Sequence, residues 1–404
     1  MQLTNRQIFQ QHLAIPAKLS NPLEIVKAKG IYLTSDTGKK YIDLVSGVSV
    51  SNVGHGHPEV IKAIKDQVDN YMHLMVYGKY IQTPQVKLTE KLVNNLPNSL
   101  NSVYFVNSGS EAIEGALKLA KRITGRTRII SFKNAYHGST HGALSILGNE
   151  EMKNAFRPLL PDIHLYDFNK YDVIEGINTD TACVVMEPVQ TEAGILIPDT
   201  DWIMAIRNKC TETGTVLIFD EVQMGFGRSG KLFAFEHFNM VPDILCLAKA
   251  MGSGMPIGAF VSSSDNMNLL THNPVLGHIT TFGGHPVSCA ASLAGLEIIT
   301  KDNLYEKAND LGELFVELLI NHPLIKEIRQ TGLMLGVEIV SPYKVSDLIY
   351  ILQKNGLIVD QFLFNESSFR IAPPLTITKD EVNQIASKII VSLNEFAKNN
   401  KTKT

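Results

Sequence analysis

Cysteine is scarce in this 404-residue chain: Cys183, Cys210, Cys246 and Cys289 are its four copies, widely spaced. They make no C-x-x-C pair and no zinc spacing, which argues against a disulfide framework and a metal module alike. Four thiols in apolar surroundings suit a reducing compartment. Long hydrophobic runs are missing too. No stretch of about 18 apolar residues is there to span a bilayer. The opening MQLTNRQIFQQHL lacks the apolar core of a secretory signal. Nor does charge of one sign accumulate. Lys and Arg total 37 against 40 Asp and Glu, a net charge of -3. No basic stripe suits nucleic acid, and no polybasic run suits a membrane surface. These absences predict a cytoplasmic protein with neither nucleic acid, membrane nor metal as partner.

What is present is the composition of a globular enzyme, 44% hydrophobic and 19% charged. The length allows one large domain and a smaller one, with a core that needs no staples. Short apolar runs alternate with helical patterns through the middle of the chain. SVYFVN (102–107), RIISF (128–132), ACVVMEP (182–188), TVLIFDE (215–221), DILCLA (243–248) and GAFVSS (258–263) read as strands. SEAIEGALKLAKRIT (110–124) and DWIMAIRNKCTETG (201–214) carry apolar residues at helical spacing. This alternation predicts an α/β fold with a mostly parallel sheet covered on both faces. From about Gly295 the pattern changes to a smaller α+β unit: a helix over 303–321, strand sequence over 329–340 and a closing helix over 379–398. IYLTSDTGKKYIDL, two short strands around a turn, is a candidate to join that unit from the N-terminal side. The predicted division is 1–52 and 293–404 for a discontinuous small domain and 53–292 for the large one.

Three segments could carry chemistry. In VNSGSEA (106–112) a strand runs into a Ser-Gly-Ser turn that opens a helix. Ser108 and Glu111 read as a capping box. The free N–H groups of that turn make it either a phosphate site or an ordinary helix cap. In FDEV (219–222) an acidic pair closes an apolar strand, where open α/β sheets bind ligands. Burying a carboxylate there calls for a cation, such as a protonated pyridine nitrogen; a helix-capping Asp is the plain alternative. In LAKAMGSGMPIGA (247–259) Lys249 follows an apolar strand. Desolvation would lower its pKa and favour imine chemistry, although most lysines are merely surface residues. GFGRSG (225–230) matches a dinucleotide or phosphate-loop pattern weakly. No acidic residue stands about 20 positions on, and Leu232 replaces the Mg²⁺-binding hydroxyl, so a flexible loop is the expectation.

Taken together, these segments resemble the class III, or ω-amino acid, pyridoxal 5'-phosphate (PLP) aminotransferases, nearest the acetylornithine and 4-aminobutyrate enzymes. The likeness extends from GVSVSNVGHGHP (47–58) to FRIAPPLTIT (369–378), and the interval from Asp220 to Lys249 fits the family pattern. It implies the fold type I PLP-transferase architecture and a homodimer with active sites at the interface. By the resemblance, Lys249 forms the Schiff base and shuttles the proton, and Asp220 keeps the ring nitrogen protonated. Gln223 bonds the ring oxygen O3', and Tyr136 stacks on the ring. Ser108, Gly109 and Ser110 hold the phosphate, Glu187 belongs to the cofactor site, and Thr281 reaches the phosphate in the neighbouring subunit. In TTFGGHP (280–286), His285 stands where the family has Asn or Asp.

For the substrate, the resemblance assigns a carboxylate clamp to Arg370 and a gate to Glu192, with a static salt bridge as the plainer alternative. In YHGST, Ser139 replaces the arginine usual in acetylornithine, ornithine and 4-aminobutyrate enzymes, which removes a fixed charge for a second carboxylate. Val48 occupies a position that is apolar in acetylornithine and 4-aminobutyrate enzymes and tyrosine in ornithine enzymes. The expected reaction moves an amino group from an ω-amino acid or amine to a 2-oxo acid, 2-oxoglutarate above all, by a ping-pong mechanism. A PLP racemase, epimerase or decarboxylase on the same fold is the alternative, because the cofactor core does not choose which bond breaks. An oxidoreductase acting through GFGRSG and a non-enzymatic paralogue are weaker readings.

Overall fold

The computed structural model describes residues 3–17 and 22–401. Strands β1 (Ile25–Lys29), β2 (Tyr32–Ser35) and β3 (Lys40–Asp43) form an antiparallel meander near the N-terminus. Seven strands then build the main sheet: β4 (Ser102–Val106), β5 (Arg128–Phe132), β6 (Ile163–Tyr166), β7 (Thr181–Met186), β8 (Val216–Asp220), β9 (Ile244–Leu247) and β10 (Gly258–Ser262). Their order is β4-β10-β9-β8-β7-β5-β6. Strands β5 to β9 pair in parallel, while β10 runs antiparallel to both β4 and β9. β4 therefore points the same way as β9. The sheet is mixed and mostly parallel, as the β-α alternation implied. β6 escapes the sequence pattern, because an edge strand with His164 exposed and the other three residues half-buried makes no continuous apolar run.

Both faces of this sheet are buried, which is why its strands read as unbroken apolar runs. On one face, Cys183, Val185, Ile218 and Ile244 pack with Ile113, Ala116 and Ala120 of the helix Gly109–Thr124. On the other, Val184, Met186, Leu217 and Phe219 pack with Trp202, Ile203 and Ile206 of the helix Thr200–Thr213. The alternation along each strand assigns successive side chains to opposite cores. Gly115 lets the first helix lie close, since a Cβ there would overlap the ring of Phe260.

The last third supplies β11 (Ile325–Thr331), β12 (Met334–Ile339), β13 (Leu357–Ile358), β14 (Gln361–Phe362) and β15 (Asn365–Ile371). Four of these form an antiparallel sheet in the order β11-β12-β15-β14. β13 instead pairs in parallel with β3, so N-terminal and C-terminal segments share one sheet. The helix Pro286–Lys301 runs unbroken through position 293.

GFGRSG departs from the expected flexible loop. All of Gly225 to Gly230 is buried. Arg228 donates to the carbonyls of Leu333 at 2.8 Å and Pro373 at 2.6 Å, and to Asn52 Oδ1 at 2.7 Å. The segment is a packed turn that joins three distant parts of the chain. Its polarity, which reads as solvent exposure in sequence, is consumed internally.

Candidate active site

Because β4, β5, β7, β8 and β9 all point one way, their carboxyl ends meet along a single edge. The segments leaving that edge line a cavity of about 470 Å³. Ser108, Gly109 and Ser110 come from β4, Tyr136 and His137 from β5, and Glu187 from β7. Asp220 and Gln223 come from β8, and Lys249 from β9. Lys249 Nζ donates to Gln223 Oε1 at 2.9 Å. Burial holds its ammonium below the usual lysine range, against the pull of Glu192. Lys249 also sits at φ 49°, a left-handed conformation that a non-glycine residue adopts at a cost and that recurs at functional sites.

Asp220 ends β8 with its carboxylate buried. Oδ2 lies 2.7 Å from His137 Nδ1, and Oδ1 accepts from Val222 N at 3.0 Å. Both oxygens are thereby oriented. His137 follows Tyr136 in YHGST, but its partner lies 83 positions away, beyond any local pattern. Glu187 is buried and accepts from Tyr136 N at 3.2 Å, Thr191 N at 2.9 Å and Thr191 Oγ1 at 2.6 Å. Burial pushes its carboxyl up to about 7, with His137 opposing and Asp220 assisting.

At the other end of the cavity, Ser108 caps the helix Gly109–Thr124 by accepting from Glu111 N at 3.2 Å. The predicted capping box is only half formed. Glu111 Oε2 reaches Asn107 N, at 2.7 Å, rather than the cap's own N–H, because it also accepts from the Asn107 side chain. The turn keeps free backbone donors and the positive end of a helix dipole facing the cavity. Gly109 is needed there, since a Cβ would lie 2.8 Å from Val222 Cγ1. Ser110 Oγ accepts from Ser139 N at 3.1 Å, and Ser139 Oγ lies 3.1 Å from Tyr136 OH.

The remaining predicted residues do not line this cavity. Arg370 NH2 meets both oxygens of Glu192, at 2.9 and 3.0 Å, and both side chains are buried. Arg370 also stacks on Phe362, 4.7 Å from the ring centroid, and its Nε lies 3.3 Å from Asp360 Oδ1. Asp360 was missed, as nothing local in VDQFLF marks it. Burial pushes its carboxyl up to about 6, against Arg370. Against burial, Arg370 and the Leu363 N–H hold Glu192 below the ordinary range. Val48 lies in a left-handed turn, and its neighbour Val50 is the one on the cavity wall. Thr281 is exposed, 3.5 Å from Tyr77 OH and off the cavity of its own chain.

The description Aminotransferase class-III matches residues 15–393. The chain belongs to the class-III aminotransferases. It is 37% identical to acetylornithine aminotransferase of Methanopyrus kandleri, over 92% of this chain and 94% of the relative. Among solved structures it resembles the ornithine aminotransferase of Toxoplasma gondii, which has PLP at partial occupancy in its active site. The TM-score is 0.89 at 29% identity, covering 98% and 96% of the two chains. An (S)-enantioselective ω-transaminase of Thermomicrobium roseum is equally similar in fold, at TM-score 0.89 and 28% identity, covering 96% and 97%.

This aminotransferase is a PLP-dependent enzyme, and its residues fit the group. Gln223 Nε2 and His137 Nε2 are buried polar atoms beside the cavity with no partner among the described residues. Between the helix terminus at Ser108–Ser110 and the carboxylate of Asp220, the cavity offers anion recognition at one end and cation recognition at the other. That polarity suits a phosphorylated, protonated pyridine.

Proposed function

We propose that the transaminase uses Lys249 as the cofactor's anchor and as the base that moves the substrate proton. What carries the reading is the convergence of Lys249, Gln223, His137–Asp220 and Glu187 on one cavity at the carboxyl edge of the sheet. Bound PLP supplies an electron sink for the pair left when the donor's Cα–H bond breaks. Asp220, fixed by His137 and Val222 N, holds the proton on the pyridine nitrogen. Gln223 bonds the ring oxygen, and Tyr136 covers the ring face. Ser108, Gly109 and Ser110 bind the phosphate with N–H and hydroxyl donors. Lys249, its pKa lowered by burial, accepts the Cα proton and returns it one atom further along.

The donor we propose is an ω-amino acid or amine, and the acceptor is a 2-oxo acid, 2-oxoglutarate above all, in ping-pong order. Lys249 is the only lysine or arginine among the described residues lining the cavity, and Ser139, beside Tyr136, carries no charge. Arg370 supplies the cation for the acceptor's carboxylate when Glu192 releases it. We propose a homodimer, supported by exposed apolar side chains on the segments that meet at Tyr77 and Thr281, among them Ile81, Val275 and Phe282. We also propose a small domain of 1–52 with 293–404 beside a large domain of 53–292, and the cytoplasm as compartment. The four cysteines are buried and unpaired, which fits a reducing interior. Lys249→Ala is expected to lose the visible absorbance of the PLP-loaded protein and at least about 100-fold in transamination rate. Retention of both would sink the assignment. A racemase or decarboxylase reading predicts no pyridoxamine phosphate after donor addition.

A further inference from the structure

We propose that Thr191 is a two-way hydroxyl through which the proton on Glu187 decides which end of the Gln223 amide faces the cofactor cavity. The proposal rests on the reading of Lys249 as the cofactor's anchor. Thr191 is buried in the turn after β7. Its Oγ1 lies 2.6 Å from Glu187 Oε2 and 3.2 Å from Gln223 Oε1. With Glu187 ionised, both neighbours are acceptors, and a hydroxyl has one proton to give. The carboxylate is nearer and charged, so it takes that proton. Gln223 Oε1 is then left facing a hydroxyl lone pair. A half-turn of the amide relieves the conflict at Thr191: Nε2 donates to the hydroxyl and Oε1 turns to where Nε2 pointed, at the loss of the bond from Lys249 Nζ, which must then aim its protons elsewhere.

With Glu187 protonated, the chain of donors reverses. The carboxylic O–H donates to Thr191, and the threonine proton is released to Gln223 Oε1. The amide is then fixed with its oxygen between Thr191 and Lys249 Nζ, the latter at 2.9 Å. Nε2, buried and without a partner among the described residues, is left to donate to an acceptor in the cavity. One state therefore offers the cofactor a donor and the other an acceptor. A ring oxygen that carries negative charge selects the donor.

Glu187 is placed to titrate at working pH. Burial pushes its carboxyl up to about 7, His137 and the bonds from Thr191 opposing, Asp220 assisting. The groups facing it are Tyr136 N and His137 after β5, Asp220 at the end of β8 and Lys249 after β9. They lie on three different strands, so no single neighbour sets its charge.

The test is the visible absorbance of the PLP-loaded protein, titrated through neutral pH. The wild type should show a transition near the Glu187 value of about 7. Thr191→Val keeps the shape and removes the hydroxyl, so the transition should be lost. Thr191→Ser should retain it, and Glu187→Gln, fixed neutral, should give a pH-independent spectrum. A wild type without the transition, or Thr191→Val or Glu187→Gln with it intact, overturns the proposal. So does a Thr191→Ser that behaves like the valine variant, since packing would then explain both. Should Thr191→Val not fold, Thr191→Ser and Glu187→Gln decide. A wild type that shows no visible band with PLP overturns the Lys249 reading instead.

Discussion

Residue by residue, the site is a set of charges that would be unaffordable alone. Arg370 is buried with two acids at hand, and the pairing is unequal. Glu192 faces it with both oxygens, whereas Asp360 approaches only Nε. Glu192 is also tied to the backbone through Leu363 N at 3.1 Å. A buried arginine that loses its carboxylate must find another or pay several kcal/mol. The carboxylate of an incoming 2-oxo acid is such a replacement, which is why the pair reads as a gate. Glu192→Gln should therefore treat the two half-reactions differently. With the arginine no longer neutralised, reaction with the keto acid should gain on reaction with the amine by about tenfold, the equivalent of about 1.4 kcal/mol. Single-turnover absorbance with each substrate measures this directly. An unchanged ratio of the two rates would make the pair a static salt bridge.

At the scale of elements, the unusual feature is the turn from Val45 to Val50. Ser46, Gly47, Val48 and Ser49 all have positive φ, from 55° to 63°. Left-handed backbone costs roughly 1–2 kcal/mol per non-glycine residue, more for a β-branched valine. Side-chain and backbone bonds hold it in place. Asp43 Oδ1 accepts from Val45 N and Ser46 N, both at 2.9 Å, and Asp43 Oδ2 lies 2.7 Å from His55. Ser46 Oγ donates to Ala372 O at 2.7 Å. Asn52 then connects the turn's far side to Arg228, and Arg228 to Pro373, three residues past Arg370. This web ties the cavity wall at Val50 to the strand that carries Arg370. Burial pulls the Arg228 guanidinium down to about 9, Asp43 opposing. Arg228→Met would leave three acceptors without their donor, and should destabilise the protein by at least about 3 kcal/mol in urea unfolding. A loss under about 1 kcal/mol would show that the turn is held by Asp43 and Ser46 without it.

For the whole molecule, legibility follows from where a residue's partners lie. Lys249, Asp220 and the Ser108–Ser110 turn could be picked out because each interrupts an apolar strand at its carboxyl end, a local signal with a topological meaning. His137, Thr191, Arg228 and Asp360 act through partners on other strands, and no local pattern marks them. Thr281 belongs to a third class, for its assigned partner is in another copy of the chain. It stands on an exposed segment beside a second cavity of about 810 Å³, bounded by Tyr77, Val86, Val275, Leu276 and Ile279. On the two segments that meet at Tyr77 and Thr281, Ile81 is 94% exposed, Val275 72% and Phe282 54%. Large apolar groups left exposed on these segments are what supports the proposed homodimer. Under the proposed homodimer, Thr281 is the residue assigned to reach the phosphate in the neighbouring subunit. The double variant Ile81→Asp, Phe282→Asp should sediment as a monomer where the wild type sediments as a dimer. Its PLP dissociation constant should rise about tenfold, the loss of one charge-assisted bond. A wild type that sediments as a monomer would remove the interface. A monomeric variant that keeps wild-type PLP affinity would leave the interface standing and take Thr281 out of the cofactor site.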